Sequence, residues 1–364
     1  MTKALIIGGG IAGAVTAMAF QRAGIESVVY EAYPTGADDI GAFLTIMKNG
    51  MNALRAVQAH KPVIDVSFPA TDVEYIDGTG ALLGLNPMRS DAHTVRRSAL
   101  YRALHDEAAR RSIPLEHGKR LVSAAEENDQ VIAEFEDGST ATADLLVGAD
   151  GIHSTVRGLI DPSAPEPRFT GLTIAYGYTK ATSFEPSANA YRMIAGKNAF
   201  FGYTTSPKGE TWWFSRAPQL DLDTATSQNF IDLLSADKTP AAEIVRSTDD
   251  LFINNAYDVP ETPHWHGSRM VLVGDAAHAA SPAAGQGASM ALEDSVILAK
   301  CLRDIPDLKA AFAKYTGIRR ARVERLVAES ANQGSNAGSN SSRPDPAERH
   351  WLYDHHIDWA EPVS

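Results

Sequence analysis

Apolar residues recur along this chain in two ways. Some form short unbroken runs, and others repeat every three or four positions. Ala4-Leu5-Ile6-Ile7 is an unbroken run ending in glycines, the pattern of a parallel strand buried on both faces. Ile11 to Ala23 reads as an alanine-rich helix stopped by Gly24, and Ser27 to Glu31 as a second short strand. Residues 4–31 therefore predict one β-α-β unit. The buried-strand pattern returns at Asp144–Gly148 and at Arg269–Gly274. Arg97–Ser112 predicts a helix with Leu100, Leu104 and Ala108 on one face, and further helices are predicted over 228–234, 289–302 and 305–330. Asn49–His60 reads as a helix limited by Pro62, and the Gly/Asp-rich residues 33–45 as a loop.

Other stretches carry a strand pattern of a different kind. Residues 68–95 alternate and hold the turn signals Asp77-Gly78 and Thr79-Gly80, predicting antiparallel strands. Leu121–Asp144 predicts two strands joined at Glu136–Ser139. Residues 170–216, rich in Tyr, Phe, Trp and Thr, predict a sheet. Asn332–Pro346 is low in complexity and reads as flexible, while Arg349–Tyr353 carries aromatics expected to pack back on the body.

Composition narrows the function. The chain has 364 residues, with 33 Lys and Arg against 45 Asp and Glu, a net charge of −12. That balance argues against nucleic acid or an anionic membrane surface as a partner, since both require a cationic surplus. Cys301 is the one cysteine, so neither an intramolecular disulfide nor a Cys-rich zinc site can form, and its apolar setting reads as core. No run approaches the roughly 18 apolar residues of a membrane span, and Met1–Gly8 runs straight into a strand without a secretory pattern. A cytoplasmic location is expected. His264-x-His266 and His355-His356 lack a third ligand nearby in sequence, so no metal site is expected. GxSxG and P-loop patterns are absent.

Three motifs carry chemistry. Gly8-x-Gly10-x-x-Gly13 follows the first strand, and Glu31 ends the second. Alone, three glycines could be an ordinary turn. With strand, helix, strand and acidic end in place they read as a dinucleotide site, with phosphates at the helix N-terminus and Glu31 on ribose hydroxyls. An acidic end favours FAD or NAD over NADP. The second motif is Asp150-Gly151 after a buried strand, where Asp150 could also simply cap a helix. The third is Gly274-Asp275-Ala276-Ala277-His278, followed by Pro282 and Gly285-Gln286-Gly287-Ala288 at a helix start, with Glu293 and Asp294 inside that helix.

In order and wording the three motifs resemble those of the class A flavoprotein monooxygenases. This is the aromatic hydroxylase superfamily with the p-hydroxybenzoate hydroxylase fold, which includes salicylate hydroxylase-like and tetracycline-inactivating enzymes. The resemblance spans roughly residues 1 to 325. It implies an α/β fold, in which a Rossmann-type FAD domain (1–68, 96–168 and 265–330) interleaves with a smaller, mostly antiparallel substrate domain (69–95 and 169–264). Residues 331–346 would be a flexible linker and 347–364 a C-terminal tail. It also implies FAD held by Gly8, Gly10, Ile11, Ala12, Gly13, Glu31, Arg97, Asp150, Asp275, Pro282, Gly285, Gly287 and Ala288. Pro282 and Gly285 would line the active site, and Arg96 is the neighbouring register for Arg97.

The activity implied is oxygenation of a small aromatic or polycyclic molecule through a flavin C4a-hydroperoxide, with NADH or NADPH and O₂ as co-substrates. A flavin-dependent oxidase or reductase on the same scaffold is the alternative. The flavin carries the chemistry, so no side chain is assigned a catalytic role, and His278 reads as structural. Substrate candidates are Tyr178, Arg192, Phe201, Tyr203 and Trp213, within an aromatic sheet that also holds Tyr176 and Trp212. Arg192 or Arg216 could meet a substrate carboxylate or phenolate. Strand alternation lets only one of Trp212 and Trp213 face the pocket. A monomer or homodimer is expected.

Overall fold

The computed structural model describes residues 2–35, 42–87, 91–181, 183–187, 189–281, 285–335 and 350–363. The chain opens with β1 (Lys3–Ile7), α1 (Ile11–Ala23) and β2 (Glu26–Glu31). Next come β3 (Phe43–Ile46), α2 (Lys48–Ala56), α3 (His60–Asp65), β4 (Phe68–Pro69), β5 (Asp72–Asp77), β6 (Leu82–Pro87) and β7 (His93–Arg96). α4 (Arg97–Arg110) leads into β8 (Leu115–His117), β9 (Leu121–Glu127), β10 (Gln130–Phe135), β11 (Thr140–Ala143), β12 (Leu145–Gly148) and α5 (Thr155–Ile160). β13 (Arg168–Thr179), β14 (Tyr191–Ala195), β15 (Phe200–Thr205), β16 (Thr211–Pro218), α6 (Ser227–Leu234), α7 (Ala241–Arg246) and β17 (Leu251–Asp258) follow. The chain closes with β18 (Met270–Leu272), α8 (Asp275–His278), α9 (Gly287–Asp304), α10 (Leu308–Ser335) and α11 (His350–Tyr353).

The three buried runs seen in sequence meet in one parallel sheet of order β18-β12-β1-β2-β8. Its strand order reverses direction at β1, the switch point where such sheets bind ligands. A second, seven-stranded sheet runs β17-β13-β16-β15-β14-β5-β6 and is antiparallel except where β14 pairs with β5. The class is α/β, as the motifs implied. One core joins the parallel sheet to α1, α4, α9 and α10, and another lies between the large sheet and helices α6 and α7.

Several local expectations need correction. Pro62 does not end a helix but sits in the first turn of α3, where its missing N–H would have had no intrahelical acceptor. Residues 121–143 form three strands, because Asn128 and Asp129, both at positive φ, make a tight turn between β9 and β10. α7 and β17 gave no clear pattern in sequence. α10 runs on through Ser335, so residues 331–335 of the expected linker are helical, and residues 336–349 lie outside the described residues. Beyond them, Leu352 and Ile357 are buried in the main core, and Lys48 pairs with Asp354 at 3.0 Å.

Candidate active site

β1 delivers the chain into the glycine turn. Gly8 has φ +101°, a conformation that side chains with a Cβ rarely adopt. A Cβ on Gly13 would lie 1.9 Å from the Gly8 carbonyl oxygen, so α1 can pack this close to β1 only with glycine there. Gly10 caps α1 without any side-chain hydrogen bond, and a Cβ there would meet nothing within 4 Å. The N–H groups of Ile11, Ala12 and Gly13, in the first turn of α1, have no intrahelical acceptor. Glu31, nearly buried, accepts hydrogen bonds from the Gly9 N–H at 2.7 Å and the Tyr33 N–H at 3.0 Å. His105 of α4, which no sequence motif flagged, reaches the Gly9 carbonyl through Nε2, and burial lowers its pKa.

The third motif closes against the first. Gly274 sits between Ala12 of α1 and Ala291 of α9, where a Cβ would come within 3.1–3.2 Å of both methyl groups. The two helices are further tied by Thr16 Oγ1 to Ser295 Oγ at 2.9 Å. Asp275 is exposed at the start of α8, its Oδ1 3.8 Å from where a Gly287 Cβ would stand. α9 starts after Gln286 without a side-chain cap, leaving the first-turn N–H groups, Gly287 and Ala288 among them, open. Among the described residues, buried Gln286 has no partner for Nε2, and Oδ1 of buried Asn49 is likewise unpartnered. Pro282 lies outside the described residues.

Beneath this turn lies a buried charge cluster. Asp294 accepts from the Gly274 N–H at 3.0 Å, His278 Nε2 at 2.5 Å and Arg319 Nε at 2.7 Å. Glu293 accepts from Arg319 Nη1 at 2.5 Å, Arg322 at 2.8 Å and Asn49 Nδ2 at 2.6 Å. The Asp150 carboxylate builds its own turn, accepting from Ser154 Oγ and from the Val156 N–H at 3.1 Å, and burial pushes its pKa up. Arg157 joins the second motif to the third by donating to the carbonyls of Ala276 at 3.1 Å and Ile152 at 2.7 Å. It stands in the second motif, yet its brace spans 119 residues, which no local pattern shows.

The large sheet presents opposite faces to two surroundings. Tyr178, Trp212, Phe214 and Tyr191 point toward β3 and β7, where Phe43 meets all four rings at centroid distances of 5.7–6.4 Å. Tyr191 Oη bonds Thr45 at 2.8 Å and Thr94 at 3.0 Å. Arg96, the neighbouring register, stacks over Tyr178 at 4.2 Å and pairs with Glu210, whereas Arg97 is exposed at the start of α4.

The register places four of the five substrate candidates on the face opposite to Tyr178. Trp213 pairs across the ladder with Tyr203, and Tyr203 with Arg192, so all three point to the opposite face. There Trp213 stacks on Phe201 at 5.4 Å, donates to Thr248 Oγ1 at 2.8 Å and packs with Phe230 and Ile244. Arg192 is already bound to Glu74 at 2.8 Å and Tyr203 Oη at 3.1 Å. Only Tyr178 of the five shares the aromatic face with Trp212. Alternation told the two faces apart but could not say which one α6 and α7 cover.

Two uncapped helix N-termini meeting at one glycine, on the carboxyl side of a parallel sheet, define a dinucleotide-type flavoprotein site. The chain belongs to the FAD binding domain family, whose model matches residues 1–330. It is an FAD-dependent monooxygenase of the class that its motifs resembled. It is 29% identical over 343 residues to an aurachin C monooxygenase/isomerase of Stigmatella aurantiaca, covering 91% of this chain and 88% of that protein. It is 28% identical to an FAD-dependent urate hydroxylase of Klebsiella pneumoniae, covering 89% and 88%. The solved structure of Klebsiella pneumoniae HpxO complexed with FAD and uric acid is 25% identical, with a TM-score of 0.84 over 98% of this chain and 93% of that one. CtdE in complex with FAD and substrate, 21% identical with a TM-score of 0.86 over 99% and 97%, shares the fold. Among the described residues no helix is long and apolar enough to cross a membrane, and no group of three or more His, Cys, Asp or Glu could hold a metal ion.

Proposed function

We propose that the protein uses NADH or NADPH and O₂ to oxygenate a small aromatic or polycyclic molecule held between the aromatic face of the large sheet and bound FAD. The observation that carries this reading is that the chain holds both the two uncapped helix starts and an aromatic sheet face on which Tyr178, Phe214 and the facing Phe43 stay partly exposed. The residues present fit FAD: the space in front of Gly10 is open, and Gln286 Nε2 and Asn49 Oδ1, without partners among the described residues, are buried polar atoms to be satisfied beside α9.

Gly10, Ile11, Ala12 and Gly13 would take the pyrophosphate on backbone N–H groups, and Glu31 a ribose hydroxyl. Asp275 would hold the chain linking the two halves of the cofactor, with Arg97 reaching in from α4. Gly285, Gly287 and Ala288 would turn N–H groups and a positive helix end toward the ring system, which favours negative charge there. Asp150 would steady the second turn beside them. Bound FAD would supply the electron and oxygen chemistry. The chain's share is to orient the substrate through Tyr178, Trp212, Phe214 and Phe43 and to exclude water from it.

The test measures NADH and NADPH oxidation with and without a panel of phenols, polyketides and aromatic acids, with ¹⁸O₂ as the label. Slow oxidation alone, a marked rise with one substrate class, and one labelled oxygen in the product are expected. Stoichiometric H₂O₂ with unoxygenated product for every active substrate would make the protein an oxidase.

A further inference from the structure

Two side chains from different elements hold the main chain of the first glycine turn. Glu31, at the end of β2, accepts the Gly9 N–H at 2.7 Å. His105, in the second half of α4, meets the Gly9 carbonyl oxygen through Nε2 at 2.5 Å. Leu100, Leu104 and Ala108 bury one side of α4 in the main core. His105 stands beside them, half-buried, with its ring 3.8 Å from that of Tyr101. A carbonyl oxygen can only accept, so Nε2 must carry a proton. Burial also lowers the pKa of the ring, which leaves it neutral at pH 7 with that single N–H. The His117 ring, 6.1 Å away, is engaged elsewhere, with Nδ1 3.2 Å from the Tyr33 carbonyl oxygen.

Main-chain groups on either side are held as well. Gly8 donates to the Tyr30 carbonyl at 2.8 Å, and the Gly10 carbonyl accepts from Ala14 at 3.1 Å within α1. The Gly10 N–H, by contrast, has no acceptor among the described residues. The Gly9 oxygen and the Gly10 N–H belong to one trans peptide and point in opposite directions. Glycine on both sides makes rotation of this peptide plane cheap, since neither residue has a Cβ to resist it. Turned over, the plane would present a carbonyl oxygen, with its partial negative charge, where its N–H had stood. With the oxygen engaged by α4, the N–H is directed away from α4.

We propose that His105 is a positioning residue for the cofactor: by holding the Gly9 oxygen it fixes the Gly9–Gly10 peptide with its N–H turned to the FAD pyrophosphate. Glu31 and His105 then clamp two successive peptides, one through its N–H and the next through its carbonyl. The inference rests on the proposed placement of the pyrophosphate at the start of α1, and adds a side chain that no motif contains.

The test uses the full chain freed of flavin and titrated with FAD, so turnover plays no part. His105→Phe keeps a ring against Tyr101 but has no N–H. His105→Gln loses the ring but keeps an N–H donor at similar reach. His105→Phe is expected to bind FAD about fivefold or more weaker, the scale of one lost hydrogen bond. His105→Gln should stay within about twofold of the wild type. The ³¹P resonances of bound FAD should move in His105→Phe and return toward their wild-type positions in His105→Gln, a signature that loss of packing alone would not give. Melting of the flavin-free chain should differ from wild type by less than about 2 °C in His105→Phe.

Wild-type FAD affinity or unmoved ³¹P resonances in His105→Phe overturn the proposal. So does a loss in His105→Gln as large as that in His105→Phe, which would make packing on Tyr101 the cause. A larger fall in the flavin-free melting temperature of His105→Phe assigns His105 to the fold and overturns it too. A wild-type chain that takes up no FAD overturns the placement of the cofactor itself, a result distinct from variants that bind FAD as the wild type does.

Discussion

The charge cluster under the third motif makes Asp294→Asn an informative perturbation. The carboxylate accepts three donors, from Arg319, Gly274 and His278, and the residue is fully buried. Asparagine keeps the volume but has a single acceptor oxygen, so whichever way the amide turns, its NH₂ faces an N–H group. Arg319 would be left with Glu293, which already serves Arg322 and Asn49. Breaking a buried ion pair costs ~3–5 kcal/mol, and the hydrogen bonds asparagine retains place this case near ~3 kcal/mol. With an unfolding entropy of about 2 cal/mol/K per residue over 364 residues, that corresponds to a fall in melting temperature of about 4 °C.

The same site has a pH signature. Burial pushes the Asp294 carboxyl up, but His278 and Arg319 outweigh it and hold the folded-state pKa below the ordinary value. A depressed folded-state pKa adds stability above the unfolded pKa, near ~3.9, and loses it as pH falls toward the folded value. The gap between wild type and variant should therefore be full at neutral pH and narrow below about pH 4. Differential scanning calorimetry at fixed FAD excess measures the gap, and fluorescence titration follows FAD affinity, which should fall as the turn carrying Asp275 loosens. A shift under about 1 °C at neutral pH would refute the reasoning.

Three further outcomes are expected. Gly13→Ala forces a methyl group to within 1.9 Å of the Gly8 oxygen, so it should cost ~1–3 kcal/mol and weaken FAD binding, read by denaturant unfolding and FAD titration. Trp213→Ala removes a fully buried ring and its bond to Thr248, so about 3–5 kcal/mol of stability should go, whereas Trp212→Ala should chiefly weaken substrate binding; substrate affinity and melting curves on both separate the effects. Cys301 is buried and its thiol is pushed up to about 12, so iodoacetamide at pH 8 should label it only after denaturation, as mass spectrometry would report.

The dinucleotide site was legible because its chemistry is local. Gly8, Gly10 and Gly13 must stand at fixed spacing between a strand and a helix, and Glu31 must end the next strand, so neighbours in the chain are neighbours in space. The three buried runs likewise announced a parallel sheet, since strands covered on both faces cannot alternate. Long-range pairing decided the rest. Whether Trp212 or Trp213 enters the core under α6 and α7 depends on which side those helices cover, and one residue of register reverses the answer. Asp294 reads in sequence as one acidic residue within a helix. Only the approach of α10, carrying Arg319 from 25 residues away, turns it into the anchor of the Gly274 turn. Arg216 read in sequence as a candidate for a substrate carboxylate or phenolate; only the fold shows it buried, with Nε and Nη1 lacking a hydrogen-bond partner among the described residues. Periodicity reports how deeply a position is buried, and partners brought from distant segments determine what a buried charge meets.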